Sequence, residues 1–177
     1  MSFDESGEAP SFEGFWSQPA PGKLIGRGHV VGDFLEADQW DVLENREGCL
    51  RLGVGLPPAV MNLRGQLFGG FTPTYVDFIA IHTWWAGREP RPGRPWLSTL
   101  SLRVEYFAAI VGPRVLIEGR VLRRNGSTAF VEVRFLEDPK ASRASSLPEA
   151  LTDSLPPGAP DGESALLAYA TVTLKAL

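Results

Sequence analysis

The chain has 177 residues, 44% of them hydrophobic and 21% charged, which suits one globular domain with a substantial core and is short for two. Seventeen Lys and Arg against 21 Asp and Glu leave a formal charge of −4, so no net positive field gathers nucleic acid, and no apolar run reaches the roughly 20 residues that cross a bilayer. A single cysteine, Cys49, excludes an intrachain disulfide framework and a multi-cysteine zinc site, and two histidines, His29 and His82, are too few for a histidine-built metal centre.

Residues 1–22 hold Pro10, Pro19 and Pro21 with Phe12, Phe15 and Trp16 between them, and read as a flexible tail ahead of a single domain over 23–177. No basic stretch followed by an apolar one opens the chain, so the expected location is cytoplasmic. Two weaker strands, roughly Gly32–Asn45 and Cys49–Gly55, flank Arg46-Glu47-Gly48. One long helix is predicted from about Thr72 to Ala86, where Thr74, Phe78, Ile81 and Trp85 recur at helical spacing and Tyr75, Ile79 and His82 widen the stripe. Little of its surface is polar, so it must be buried. Thr72 is the expected hydroxyl N-cap before Pro73, and Gly87 marks the end.

Strands dominate the rest. Leu100, Leu102, Val104 and Tyr106 alternate with polar residues, as do Val115, Ile117 and Val121, then Ala129, Val131, Val133 and Phe135, and finally Leu166, Ala168, Ala170, Val172 and Leu174. Asn125-Gly126 between two of these runs predicts a type I′ hairpin turn. Residues 141–163, rich in Ser, Pro, Gly and Ala, read as a mobile insertion. The expected fold class is α+β, an antiparallel sheet of about six strands wrapped around one long central helix.

The segment Asn62-Leu63-Arg64-Gly65-Gln66-Leu67-Phe68-Gly69-Gly70, followed by Asp77, carries the chemistry. Paired glycines at a helix entrance let backbone N–H groups approach a ligand, and the helix dipole adds partial positive charge there. Asp77 is the only acidic residue of the predicted helix. A carboxylate on a buried apolar helix costs several kcal/mol unless it is paired or neutralised. It is therefore either a catalytic group or a hydrogen-bond anchor for a neighbouring loop. His82, five residues after Asp77, reads as a core histidine, Cys49 as a packed thiol, and Trp84, Trp85 and Trp96 as core or interface. Arg120, Arg123 and Arg124 read as a solvated face, or as contacts to the phosphates of a nucleotide-bearing ligand.

Asn62, Gly65, Phe68-Gly69-Gly70 and Asp77, with Thr99 to Tyr106 and the hairpin about Asn125-Gly126, resemble the hotdog-fold acyl-CoA thioesterases of the phenylacetate-degradation type. The resemblance covers roughly Gly32–Asp138 and the last strand. It implies that the Gly69 N–H polarises the thioester carbonyl, that Asp77 acts as general base or nucleophile, and that Asn62 orients water or substrate. It places Phe68, Gly70 and Thr99 at the substrate and, more weakly, Arg123 and Arg124 at the coenzyme A phosphates. Phe68 stands where the family usually has a histidine, and Thr99, alternating with Leu100, faces away from the helix by simple strand period. The resemblance further implies an acyl-CoA substrate, no cofactor, no metal, and a homodimer or dimer of dimers with sheets joined edge to edge. The alternatives are a non-catalytic acyl-CoA or lipid-binding protein and, last, a hydratase or dehydratase.

Overall fold

A computed structural model describes residues 17–88, 94–139 and 164–177; the expected insertion at 141–163 and most of the expected tail lie outside them. In chain order the elements are α1 (Val30–Phe34), a 3-10 turn (Ala37–Gln39), β1 (Asp41–Arg46), β2 (Cys49–Gly55), a second 3-10 turn (Pro58–Val60), α2 (Thr72–Trp85), β3 (Leu97–Tyr106), β4 (Arg114–Asn125), β5 (Thr128–Glu137) and β6 (Leu166–Ala176). The six strands form one sheet in the order β1-β2-β4-β5-β6-β3, every neighbouring pair antiparallel. This is the expected α+β architecture.

The inner face of the sheet presents Leu50, Leu52 and Val54 from β2, Ile117 from β4, Val131, Val133 and Phe135 from β5, and Ala168, Ala170, Val172 and Leu174 from β6. They pack on Tyr75, Val76, Ile79 and Ala80 of α2, all fully buried. Alternation puts these residues on one face of each strand, and burying them against the helix is the main source of stability. Gly119 lets the two layers meet, because a Cβ there would lie 1.9 Å from Thr83 Oγ1. That buried hydroxyl donates back to Ile79 O at 2.7 Å, so the close approach strands no polar atom.

Three local expectations are corrected. The strand expected over Gly32–Asn45 begins only at Asp41, because residues 29–40 curl into α1 and a 3-10 turn. The Gly32 N–H donates to His29 Nδ1 at 3.0 Å, capping α1, and Trp40 Nε1 donates to Leu35 O at 3.2 Å. Leu35, Ala37 and Trp40 thereby enter the core together, with Trp40 stacked on Tyr75 at 5.6 Å. Second, Thr72 is the first helical residue of α2 and not its cap. Phe71 already has helical angles (φ −84°, ψ −24°), and its carbonyl accepts from Tyr75 N at 3.1 Å. Third, Asn125 pairs with Thr128, so the hairpin turn is Gly126-Ser127. Gly126 alone has positive φ, +56°, which fits glycine at the first central position of a type II′ turn.

Both ends of the domain are pinned. Residues 17–22, the described part of the expected tail, bond to the fold through Ser17 N to Arg27 O (2.7 Å) and Val42 N to Gly22 O (2.9 Å). Beside them Arg114 bridges Asp41 (2.6 Å) and buried Asp138 (3.0 Å), and Lys23 completes the cluster at Asp41. The far end of α2 docks on the β1–β2 hairpin, where the Gly87 N–H donates to Asn45 Oδ1 at 2.7 Å. Gly119→Val should force α2 off the sheet and lower unfolding free energy by about 1–3 kcal/mol. Urea titration checks this, and wild-type stability in that variant would show that the contact with Thr83 is not tight.

Candidate active site

The loop from β2 to α2 is tied by Asn62. Its Oδ1 accepts from Arg64 N (2.8 Å) and Gln66 N (3.1 Å), and its backbone N–H donates to Gln66 O at 2.7 Å. The asparagine side chain thus replaces missing backbone partners in a tight turn. Its carbonyl is spent inside the loop, leaving the amide N–H, whose bond to Gln66 Oε1 is long at 3.4 Å.

Phe68, Gly69 and Gly70 follow on the surface. The Phe68 ring is 55% exposed and meets Phe71 edge-on at 6.1 Å, and Phe71 lies 5.7 Å from Phe34. A Cβ on Gly70 would come within 2.8 Å of the Phe68 ring, so the aromatic at 68 and the glycine at 70 are fitted to each other. Gly69 and Gly70 occupy a turn just before α2. Among the described residues no hydrogen bond takes up either N–H.

Asp77 sits within α2, half-buried. Thr99 Oγ1 donates to Asp77 Oδ1, which corrects the expectation that Thr99 faces away. The reason is a bulge: Thr99 pairs with Leu174 and Ser101 with Thr173, so Leu100 is the extra residue and is pushed outward, 56% exposed. Thr99 and Leu102 then both face the helix, which a regular strand forbids.

A second bulge moves Arg124. Val121 pairs with Val131 but Arg123 with Phe130, leaving Leu122 unpaired, and Arg124 turns inward. Its guanidinium covers the Trp84 ring at 4.9 Å, and Nη2 donates to Trp84 O at 2.6 Å. Burial lowers its pKa. A cation on the last carbonyls of a helix is favourable, and here it occupies the arginine. Arg124 thus stands at the C-terminal end of a 14-residue helix, roughly 20 Å along the axis from the glycine pair. Arg123 is exposed. The structure brings Asp77 and Thr99 together, sets Phe68, Gly69 and Gly70 at the near end of α2, and leaves both arginines at the far end.

Residues 64–142 match the family model described as the Thioesterase superfamily. A thioesterase family protein from Silicibacter pomeroyi superposes with a TM-score of 0.61 at 15% identity, over 84% of this chain and 90% of that one. The chain has the hotdog fold. Two further structures agree at similar distance. Zebra fish thioesterase superfamily member 2 gives a TM-score of 0.56 at 21% identity, over 80% of this chain and 83% of that one. A Streptococcus mutans protein bound to acetyl CoA gives 0.53 at 19% identity, over 78% and 89%. No curated protein matches.

Against the hotdog helix lies a cavity of about 470 Å³, lined by His29, Val31, Pro73, Thr74, Asp77, Phe78, Ile81, His82 and Leu102. Five of these come from one arc of α2: Asp77, Ile81, Thr74, Phe78 and His82 fall within roughly 140° at 100° per residue. Spacing alone could have placed His82 there, yet its separation from Asp77 pointed to the core. His82 Nδ1 donates to Phe78 O (2.8 Å), its ring lies 4.4 Å from Phe78, and His29 meets the same Phe78 edge-on at 5.3 Å.

Burial pushes the His82 pKa down to about 4, with nearby His29 adding to the effect. The imidazole is therefore neutral at pH 7. Between pH 6.5 and 4 the unfolded chain takes up a proton that the folded one refuses, so this contribution is complete above pH 6.5 and is lost as pH falls. Unfolding free energy should drop from pH 7 to pH 5, with His82 supplying about 1–2 kcal/mol of the loss. Urea titrations of His82→Gln at the two pH values should show a correspondingly smaller drop; an unchanged drop would remove His82 as its source.

Proposed function

We propose that the chain is a cytoplasmic acyl-CoA thioesterase of the phenylacetate-degradation type, hydrolysing an acyl-CoA thioester to a carboxylic acid and coenzyme A without a cofactor. One observation carries the reading: a carboxylate held by a hydroxyl opens onto an apolar cavity on a helix preceded by two glycine N–H groups that have no partner among the described residues. The Thioesterase superfamily match supports it, since residues 64–142 include Gly69, Gly70, Asp77 and Thr99. So does the acetyl CoA bound to the hotdog protein of Streptococcus mutans.

In this mechanism the thioester oxygen accepts from the Gly69 N–H, and the acyl chain enters the cavity beside Phe78, Ile81 and Leu102. Thr99 occupies Asp77 Oδ1, leaving Oδ2 to take a proton from water as that water attacks the carbonyl carbon. Collapse of the tetrahedral adduct breaks the C–S bond and returns the proton to the departing thiolate. In the alternative route Oδ2 attacks the carbonyl carbon and expels the coenzyme A thiolate, forming a mixed anhydride that water cleaves to the carboxylic acid and free Asp77, with the proton released from that water passing to the thiolate. Asn62 orients water or substrate through its amide N–H. Phe68 flanks the acyl entrance and tunes acyl preference, and exposed Arg123 is left to meet the coenzyme phosphates.

The domain, taken as 23–177, assembles as a homodimer or dimer of dimers in this proposal. β3 ends the sheet with an open edge, and an unpaired edge invites a second strand. A specific observation favours a second reading: Phe68, an apolar ring in place of the family histidine, suits a protein that binds acyl-CoA or lipid without cleaving it. Thiol release over a panel of acyl-CoAs separates the two. Wild type should release thiol and Asp77→Asn should lose about a hundredfold in turnover while staying folded. Equal turnover in Asp77→Asn would refute the role of Asp77, and acyl-CoA binding by wild type with no release would put the binding reading in place.

A further inference from the structure

The two peptides of the glycine pair are pinned through their carbonyls. Phe68 O accepts from Phe71 N at 2.8 Å, a local turn bond. Gly69 O accepts from Tyr106 Oη at 2.8 Å, a bond that arrives from β3. In a planar trans peptide the C=O of one residue and the N–H of the next point in opposite directions. Holding the Phe68 carbonyl therefore aims the Gly69 N–H, and holding the Gly69 carbonyl aims the Gly70 N–H. Both N–H groups are left without an intramolecular partner among the described residues.

Tyr106 reaches Gly69 only because of the β3 bulge. Thr99 and Tyr106 are seven residues apart, so a regular strand would put them on opposite faces. With Leu100 extruded, Tyr106 pairs with Ala168 and Thr99 with Leu174, both partners buried on the inner face. One strand thus clamps the carboxylate at one end and the glycine pair at the other, with Leu102 of the cavity wall between them.

We propose that Tyr106 is a positioning residue that fixes the Gly69–Gly70 peptide and so makes the Gly70 N–H a second donor, beside that of Gly69, to the thioester oxygen. This rests on the hydrolase reading above. A donor that is already aligned pays no reorganisation when negative charge develops on that oxygen, so the effect appears in the transition state and not in ground-state binding.

Tyr106→Phe keeps the ring and removes only the hydroxyl, at a side chain that is 52% exposed. It should lower kcat about tenfold, the scale of one well-placed hydrogen bond, with KM within about twofold and Tm unchanged. Two uncleavable ligands separate positioning from packing: a trifluoromethyl ketone analogue of acyl-CoA, whose hydrate carries the tetrahedral oxygen of the adduct, and an S-alkyl coenzyme A, which has no such oxygen. Tyr106→Phe should weaken the ketone analogue several-fold and leave the thioether unchanged. Wild-type kcat and ketone affinity in the variant would overturn the proposal, as would equal weakening of both ligands together with a lower Tm. If wild type cleaves no acyl-CoA, the hydrolase reading fails, yet the ketone and thioether affinities still decide whether Tyr106 orients a carbonyl-binding donor.

Discussion

Helix α2 is buried on nearly every side, and the one carboxylate it carries has to be accommodated there. A group of this kind is stable in an apolar setting only if its oxygens find donors or water. Thr99 supplies a donor to one oxygen of Asp77, and the neighbouring cavity leaves the other side of the carboxylate open. The bulge at Leu100 exists in the register so that Thr99 can make it, and the same bulge brings Tyr106 to the glycine pair. The sheet gives up one regular pairing on its edge strand and gains a face that addresses both ends of the site.

The rest of the helix is held by shape. Gly119 allows Thr83 to sit against β4, Trp40 stacks beneath Tyr75, and Arg124 closes the last turn on the carbonyl of Trp84. These contacts fix α2 lengthwise and around its axis, which determines where the arc of Thr74, Asp77, Phe78, Ile81 and His82 faces. A cavity wall on a rigid helix is placed more accurately than one on a loop. Ahead of the helix the chain from Asn62 to Gly70 lies outside the named helices and strands, and there Asn62 supplies from its side chain bonds that regular structure would provide.

Most of this fold could be read from the sequence because its signals are strictly periodic. β2 was legible residue for residue, α2 to within a residue at its end, and the alternating runs of β4, β5 and β6 declared their inner faces. What failed to show were departures from period. A bulge is one extra residue with no signature of its own in the alternation of Leu100, Leu102 and Val104, and it reversed the expected direction of Thr99. The bulge at Leu122 likewise turned Arg124 from the surface to the helix end. The curl of residues 29–40 was hidden for a different reason: Val30, Val31 and Phe34 have strand-forming side chains, and the bonds at His29 and Trp40 outweigh that preference. The glycine pair and Asp77 were visible as residues, but the cavity beside them, with His29 and His82 in its wall, is a property of packing.

The central claim is that Thr99 acts through Asp77, so the two form one functional unit. A double-mutant cycle in acyl-CoA turnover, built from Thr99→Val and Asp77→Asn, tests it most directly. Thr99→Val alone should slow turnover by about tenfold, yet added to Asp77→Asn it should cost almost nothing further, because the carboxylate it orients is already gone. Losses that simply multiply would contradict the account and assign Thr99 a role independent of Asp77.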